Sequence, residues 1–550
     1  MVASYGGRVA ATSLDEGVAR HTTLMGVELG SVIPGHLHLE YQIGCRPERQ
    51  TQARDENGST TRSTGDTVAM THPADDYDRV EFVESLVNAS RTAAGRARLN
   101  ADGALASVLC RLSSSTAPVL IPRLRLVRNL CAAEPANQDA FVESGGVDRL
   151  ASVFLTGLLV STEVVRTVCQ VLGIVASAGE AHRAAVWTRF FPVWFRKIAE
   201  MYAPAVCNSL CMVLDTCCSA TGGPRRLGEL CDAGRGLPIV LNIVYTMSPG
   251  CHKEEYFYWL LGKACIEGIY FTRVFQGLSP AIILDSSGGV EYTYNKFSNG
   301  QVFLLETLSD YLTGWPGYLD SISKNFGLSV LQVLEEAYSV VNARSQSNSV
   351  SPTCWLVTDI LKYSFIILRS ICAWKVHSSP AAEDPANSLL SAGLLQLLLR
   401  FLRELEPTYI AKNRAIQTST YLKVCPYEGF ERDVVSVICN FLHGRKQVQD
   451  DIRKQDGISL LLRQCVVKEC WPLLREWGTL SVRYMLDGNL ENQYKVAELE
   501  QKEPVITPEI SRMGLRVEVD QESQRQKIVN ASSGNFFIQI EFMVQIDWIN

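Results

Sequence analysis

Three stretches of this chain repeat one pattern at matching offsets. Val127-Arg128-Asn129-Leu130-Cys131 leads to Asn137-Gln138. Ile438-Cys439-Asn440-Phe441-Leu442 leads to Gln449. Val482-Arg483-Tyr484-Met485-Leu486 leads to Asn492-Gln493. Each begins apolar, passes through a small or Gly break, and places a Gln eleven positions after its first residue. The second and third copies start 44 residues apart. A weaker copy starts at Val171, again 44 after Val127, with His182 in the Gln position.

A glycine marker supports the register. Gly146 follows Gln138, and Gly457 follows Gln449, at the same interval, each with a Leu four residues on (Leu150, Leu461); Gly393 with Leu397 repeats the pair. This spacing predicts that a helix closes, the chain turns at the Gly, and a new apolar-faced helix opens. A period near 44 falls within the range of about 40–47 residues for HEAT and armadillo units. One such unit cannot bury its own apolar stripe, whereas units stacked side by side share a continuous core. The fold expected is therefore all-α: an armadillo/HEAT-like right-handed superhelical solenoid. The segment Pro472 to Leu486 is read as one of its helices, with Pro472 in the first turn and Gly488 at a left-handed close. Copies between about 200 and 350 stay unphased.

The rest of the sequence bounds what such an array could do. Residues 1–76 lack helical spacing and are read as a weakly ordered extension, with helical repeats over 77–424. Lys and Arg number 52 against 58 Asp and Glu, a net charge of -6. The triplet Arg123, Arg125, Arg128 is too small to reverse that balance, so nucleic acid is not an expected partner. The 17 cysteines cannot all pair within a monomer. Many sit in apolar runs, as a small buried hydrophobe does in a reducing compartment. No secretory pattern and no clean membrane span is seen; Gln396 and Arg400 interrupt the longest apolar run. These features suggest the cytosol, with the nucleus as an alternative.

Catalytic chemistry finds little foothold. Cys207, Cys211, Cys217 and Cys218 form the densest cysteine group, but their helical spacing suits core packing better than the paired spacings of a zinc site. Cys251-His252 has no second ligand pair nearby. His182 and His443 fall at helix ends, and there is no phosphate-binding loop, dinucleotide fingerprint or His-Glu-x-x-His pattern. No catalytic residue, cofactor or metal is expected. Asn129 and Asn440 share a repeat position. There an Asn could bond an extended peptide or simply the neighbouring repeat. Nuclear-import adaptors place a Trp one turn earlier, where this chain has Arg125 and Ser436.

Tyr427-Glu428-Gly429-Phe430-Glu431-Arg432-Asp433-Val434-Val435 resembles the C-terminal domain of the ataxin-10 family. Gln464-Cys465, Arg475-Glu476-Trp477, Glu491-Asn492-Gln493 and Glu498-Leu499-Glu500 extend the likeness, and the stretch from Pro508 to Asp520 is similar to the ending of plant-type members. It covers roughly 425–530. The resemblance implies an armadillo fold, a cytoplasmic location and the holding of protein partners, with links to cytokinesis and signalling. Animal members are associated with a G-protein beta subunit and O-GlcNAc transferase. Residues 531–550 depart from the pattern. Ile538, Ile540, Phe542, Val544, Ile546 and Trp548 alternate as in a strand, marking either an unusual tail or an artefact of the gene model.

The expected function is a non-catalytic scaffold, capable of self-association. Asn129, Asn440, Arg475, Glu476 and Trp477 are its candidate partner-binding or repeat-packing residues. Trp477 and its neighbours could anchor a partner or fill the core. The alternatives are an import or cargo adaptor that holds extended peptides in a concave groove, and a helical enzyme.

Overall fold

The structure is a computed structural model. It describes residues 74–115, 117–155, 161–248, 254–280, 296–314, 322–345, 354–374, 384–405, 425–465, 473–500, 515–519, 526–530 and 536–538. The extension before 74 and the tail beyond 538 lie outside the described residues, as do Pro472 and Cys251-His252.

A ladder of helices runs through the chain, each packed on the one before. Its rungs are α1 Val80–Ala89, α2 Ala117–Cys131, α3 Thr162–Ser177, α4 Pro204–Cys217, α5 Glu255–Leu261, α6 Asn299–Gly314, α7 Cys354–Ala373, α8 Phe430–Leu442 and α9 Leu474–Leu486. Between rungs the chain returns through shorter helices, such as Pro135–Glu143 with Gly146–Val153, or Lys446–Lys454 with Ile458–Leu462. The fold is a helical repeat array of the solenoid kind, and one apolar cluster extends from Tyr77 in the first unit to Met485 in the last.

Local chemistry fixes the rung ends. The Ser161 hydroxyl accepts a hydrogen bond from Val164 N–H at the start of α3, and Asp384 does the same for Ala386 N–H. Such caps satisfy amides that have no partner inside their own helix. The glycine marker acts one residue away from where the spacing placed it. The left-handed residues are Gly145 and Asp456, at φ 70° and 52°. Gly146 is needed for a different reason: a Cβ there would lie 2.6 Å from the Phe141 carbonyl oxygen. Gly393 and Gly488 are themselves left-handed.

The stretch from 200 to 350 divides in two. Residues 204–247 keep the regular order of a rung and two short helices. The departure comes afterwards. α5 widens into a π-turn at Gly262–Glu267, the helix Phe271–Gly277 follows, and α6 is succeeded by the long helix Lys324–Ser345.

Beyond the helices lies a small antiparallel sheet, β1 Leu515–Val519, β2 Gln526–Asn530 and β3 Phe536–Ile538, in the order β1-β2-β3. Val517 pairs with Ile528 and Glu518 with Lys527. A bulge interrupts the β2–β3 register between Ile528 and Val529. Helical spacing gave no warning of β1 and β2; the alternation noticed further on reaches the described residues only at β3.

Candidate partner-binding face

The repeat is visible as hydrogen bonds. Asn137 donates through Nδ2 to the Leu130 carbonyl at 2.7 Å, and Gln138 through Nε2 to the Cys131 carbonyl at 2.9 Å. In the last unit Asn492 donates to Met485 O and Gln493 to Leu486 O, both at 2.9 Å and at the same sequence offset. Gln138 also reaches forward to Ile174 O in α3. Gln449 reaches forward to Tyr484 O in α9, at 2.8 Å. Each such amide satisfies carbonyls near a rung's C-terminus that lack a helical partner and joins one unit to the next. At the same position His182 sets Nε2 3.1 Å from Asp139. One period later comes Arg226, buried, bonded to the Cys217 carbonyl at 3.0 Å and paired with Glu180.

The rungs also meet through polar side chains. Arg125 of α2 sits between Glu84 of α1 at 3.8 Å and Glu163 of α3 at 2.5 Å. Arg128 donates to Gln170 of α3 at 2.8 Å. Further along, Asn208 donates to Glu254 at 2.8 Å, and Lys263 pairs with Asp215. Burial, with Asp310 and Glu306 beside it, pushes the Tyr258 hydroxyl up; burial and Glu306 do the same at Tyr363. These residues pave a half-buried polar strip along the ladder.

Both candidate asparagines lie on this strip and point back one rung. Asn129 Nδ2 donates to Ser90 Oγ at 3.0 Å, and Asn440 Nδ2 to the Arg369 carbonyl at 3.1 Å. Arg475 and Glu476 are exposed in the first turn of α9, while Trp477 is half-buried against the core. The structure thus places Asn129 and Asn440 at opposite ends of the ladder and the Arg475 group on its last rung; they do not converge.

Sequence reasoning missed the buried and half-buried arginines. Arg123 donates to the carbonyls of Tyr77 and Arg111 and to Ser115. Arg445 reaches the Cys372 carbonyl at 2.8 Å and Asp384 at 3.0 Å. Only Arg226 had a sequence signal, its place one period after His182.

The cysteine group at 207–218 is core. Cys207, Cys211, Cys217 and Cys218 are buried, and burial pushes the Cys217 thiol up to about 12. Among the described residues no group of three His, Cys, Asp or Glu side chains could hold a metal ion, and no single helix is long and apolar enough to cross a membrane. A half-open pocket of about 350 Å³ lies between Phe271–Gly277 and Lys324–Ser345, lined by Ile269, Phe271, Thr272, Asn325, Phe326 and Gln332 among others. Its lining carries no carboxylate, amine, imidazole or thiol.

Residues 430–528 match the family described as the spinocerebellar ataxia type 10 protein domain. Ataxin-10 of Xenopus tropicalis is 22% identical over 413 residues, covering 72% of this chain and 77% of that protein. The C-terminal part of the chain carries an ataxin-10 domain, and the chain is similar to ataxin-10 along most of its length. The ataxin-10 homolog of Candida albicans is 30% identical over 104 residues, which is 19% of this chain and 22% of that protein. For Bos taurus ataxin-10 the figures are 30% over 91 residues. The match thus spans about a fifth of the Candida protein and over three quarters of the Xenopus one. Two solved structures also align at 12% identity: an engineered protein, covering 74% of this chain at a TM-score of 0.28, and Uso1-2, covering 75% at 0.43. The ataxin-10 domain match begins at Phe430, the first residue of α8, and runs through α9 into β2. β1 and the start of β2 are therefore part of the matched domain, and β3 lies beyond it.

Proposed function

We propose that this ataxin-10-like chain is a non-catalytic scaffold that holds protein partners along the polar strip of its ladder. The observation that carries the reading is the strip itself: half-buried charged and amide groups recur from rung to rung without converging on one point. A catalytic site gathers such groups around a reacting atom; a scaffold spreads them along a line. The cytosolic location, with the nucleus as alternative, and the link to cytokinesis or signalling that the family resemblance implies belong to the same proposal. A fluorescent fusion in cells checks the location.

The experiment is partner capture with the full chain and with Arg125→Glu/Arg128→Glu. Capture by the parent, lost in the variant at unchanged thermal stability, is the expected result. Equal capture by both, or no reproducible partner, contradicts the proposal. The cargo-adaptor alternative predicts saturable binding of short basic peptides. It is weakened by Arg125 and Ser436 standing where such adaptors place Trp, and by the use of Asn129 and Asn440 between rungs.

A further inference from the structure

Every unit of a repeat array covers one face of its neighbour, so the last unit leaves a face that the array itself does not cover. Here the repeat register identifies that face. Val127 and Cys131 of α2, Val171 and Val175 of α3, and Ile438 and Leu442 of α8 are equivalent pairs, all fully buried. Their counterparts in α9, Val482 and Leu486, are only partly buried. The amide clip is half-used as well. Gln493 bonds back to Leu486 O, but the forward acceptor that Ile174 gives Gln138 and Tyr484 gives Gln449 has no counterpart among the described residues. Asp139 and Asp450 contact the next unit through His182 and Asn489. The equivalent residue here is Tyr494, 69% exposed, with Leu490 exposed beside it.

Among the described residues no further helix follows Glu500. After Glu500 the sequence carries Pro504 and Pro508, poor residues for a helix interior, and the next described elements are strands. In the two units where a Gln reaches forward, at Gln138 and Gln449, the occupant of this face is an apolar-faced helix whose C-terminal carbonyl meets the Gln. We infer that the distal face of α9 docks an amphipathic helix of a partner protein as one more rung: its apolar side on Val482 and Leu486, its last carbonyls on Gln493, its rim on Tyr494 and Leu490. The inference rests on the scaffold reading but uses a different surface from the polar strip.

The probe is a fluorescein-labelled peptide of residues 473–488, the sequence of the rung that Gln449 engages, titrated with the full chain and followed by anisotropy. Saturable binding is expected, with a scrambled peptide not binding. Val482→Asp should weaken it by about tenfold or more, equivalent to about 1.4 kcal/mol. Tyr494→Asp should weaken it too, and at that exposure the change leaves the core intact, so a folding failure of Val482→Asp does not blunt the test. Arg125→Glu/Arg128→Glu should bind the peptide normally, which separates this surface from the strip. Absence of saturation, equal binding of the scrambled peptide, or indifference to Tyr494→Asp overturns the inference. So does a concentration-dependent dimer abolished by Tyr494→Asp, because the occupant would then be a second copy.

Discussion

Two parts of the array solve one packing problem with different chemistry. In the outer units, around α2–α3 and α8–α9, a buried or half-buried amide ties each rung to the next, through Gln138, Gln449 and Asn492. From α5 to the start of α8 aromatic rings do much of that work. Phe257 stacks near Phe303 at 5.9 Å, and Phe271 meets Phe326 edge-on at 5.2 Å. Phe430 touches Tyr338, Phe365, Phe401 and Tyr427, all with centroids under 6 Å. Amide clips need carbonyls at fixed offsets and so preserve a readable period. Rings need only bulk and a suitable angle, so the period can blur while the ladder continues.

The largest expected effect lies where the two regimes join. Phe430→Ala removes a fully buried ring from that cluster and should cost about 3–5 kcal/mol, read as a lower urea midpoint. A loss below about 1 kcal/mol would mean that the ring cluster does not hold the junction. In the clipped region, Asn492→Ala should cost about 1–3 kcal/mol, because it strands the Met485 carbonyl in a buried setting and cuts the tie to the Gln449 carbonyl of the preceding unit. A null effect there would show that the offsets are decoration.

The contrast also explains what could be read from sequence. The offsets of Gln138, Gln449 and Gln493 were legible because an amide at one repeat position bonds carbonyls at the end of a rung in each unit, backward from Gln138 and Gln493 and forward from Gln138 and Gln449. The register through 255–345 was not, because Phe257, Phe271 and Phe326 contribute bulk that any helix pattern allows. Residues 204–247 were regular but hidden: Arg226 takes the Gln position, and a guanidinium in an apolar setting does not look like an amide. At Asn129 and Asn440 the sequence gave the right position but not the bonding partner, since an outward peptide and an adjacent rung ask for the same donor. β1 and β2 were missed because each strand spans only Leu515–Val519 or Gln526–Asn530, too short to outweigh a helical prior.

Smaller effects sharpen the comparison. Gln138→Leu severs both a backward and a forward bond and should cost about 1–2 kcal/mol. Gln493→Leu severs only the backward bond described and should cost less. Equal costs would contradict the half-used clip. The smallest effect is pH-dependent. The hydrogen bond from Asn489, with Arg453 and Lys446 nearby, holds the Asp450 carboxyl below the usual carboxylate range. A depressed value in the folded state gives stability that is present above the unfolded value, about 4. That stability is lost as pH falls through the lower folded value. Asp450→Asn should therefore flatten the acid limb by lowering stability slightly at neutral pH, with the variant and parent curves converging as pH falls below about 4.

The account stands on neighbouring units sharing one core, and amide hydrogen exchange measured along the full chain before and after Phe430→Ala tests it most directly. It predicts faster exchange in α7 and α9 together with α8, fading toward an unchanged α2 and α3, as coupling between nearest neighbours requires. Faster exchange confined to α8, or spread evenly from α1 to α9, would contradict it.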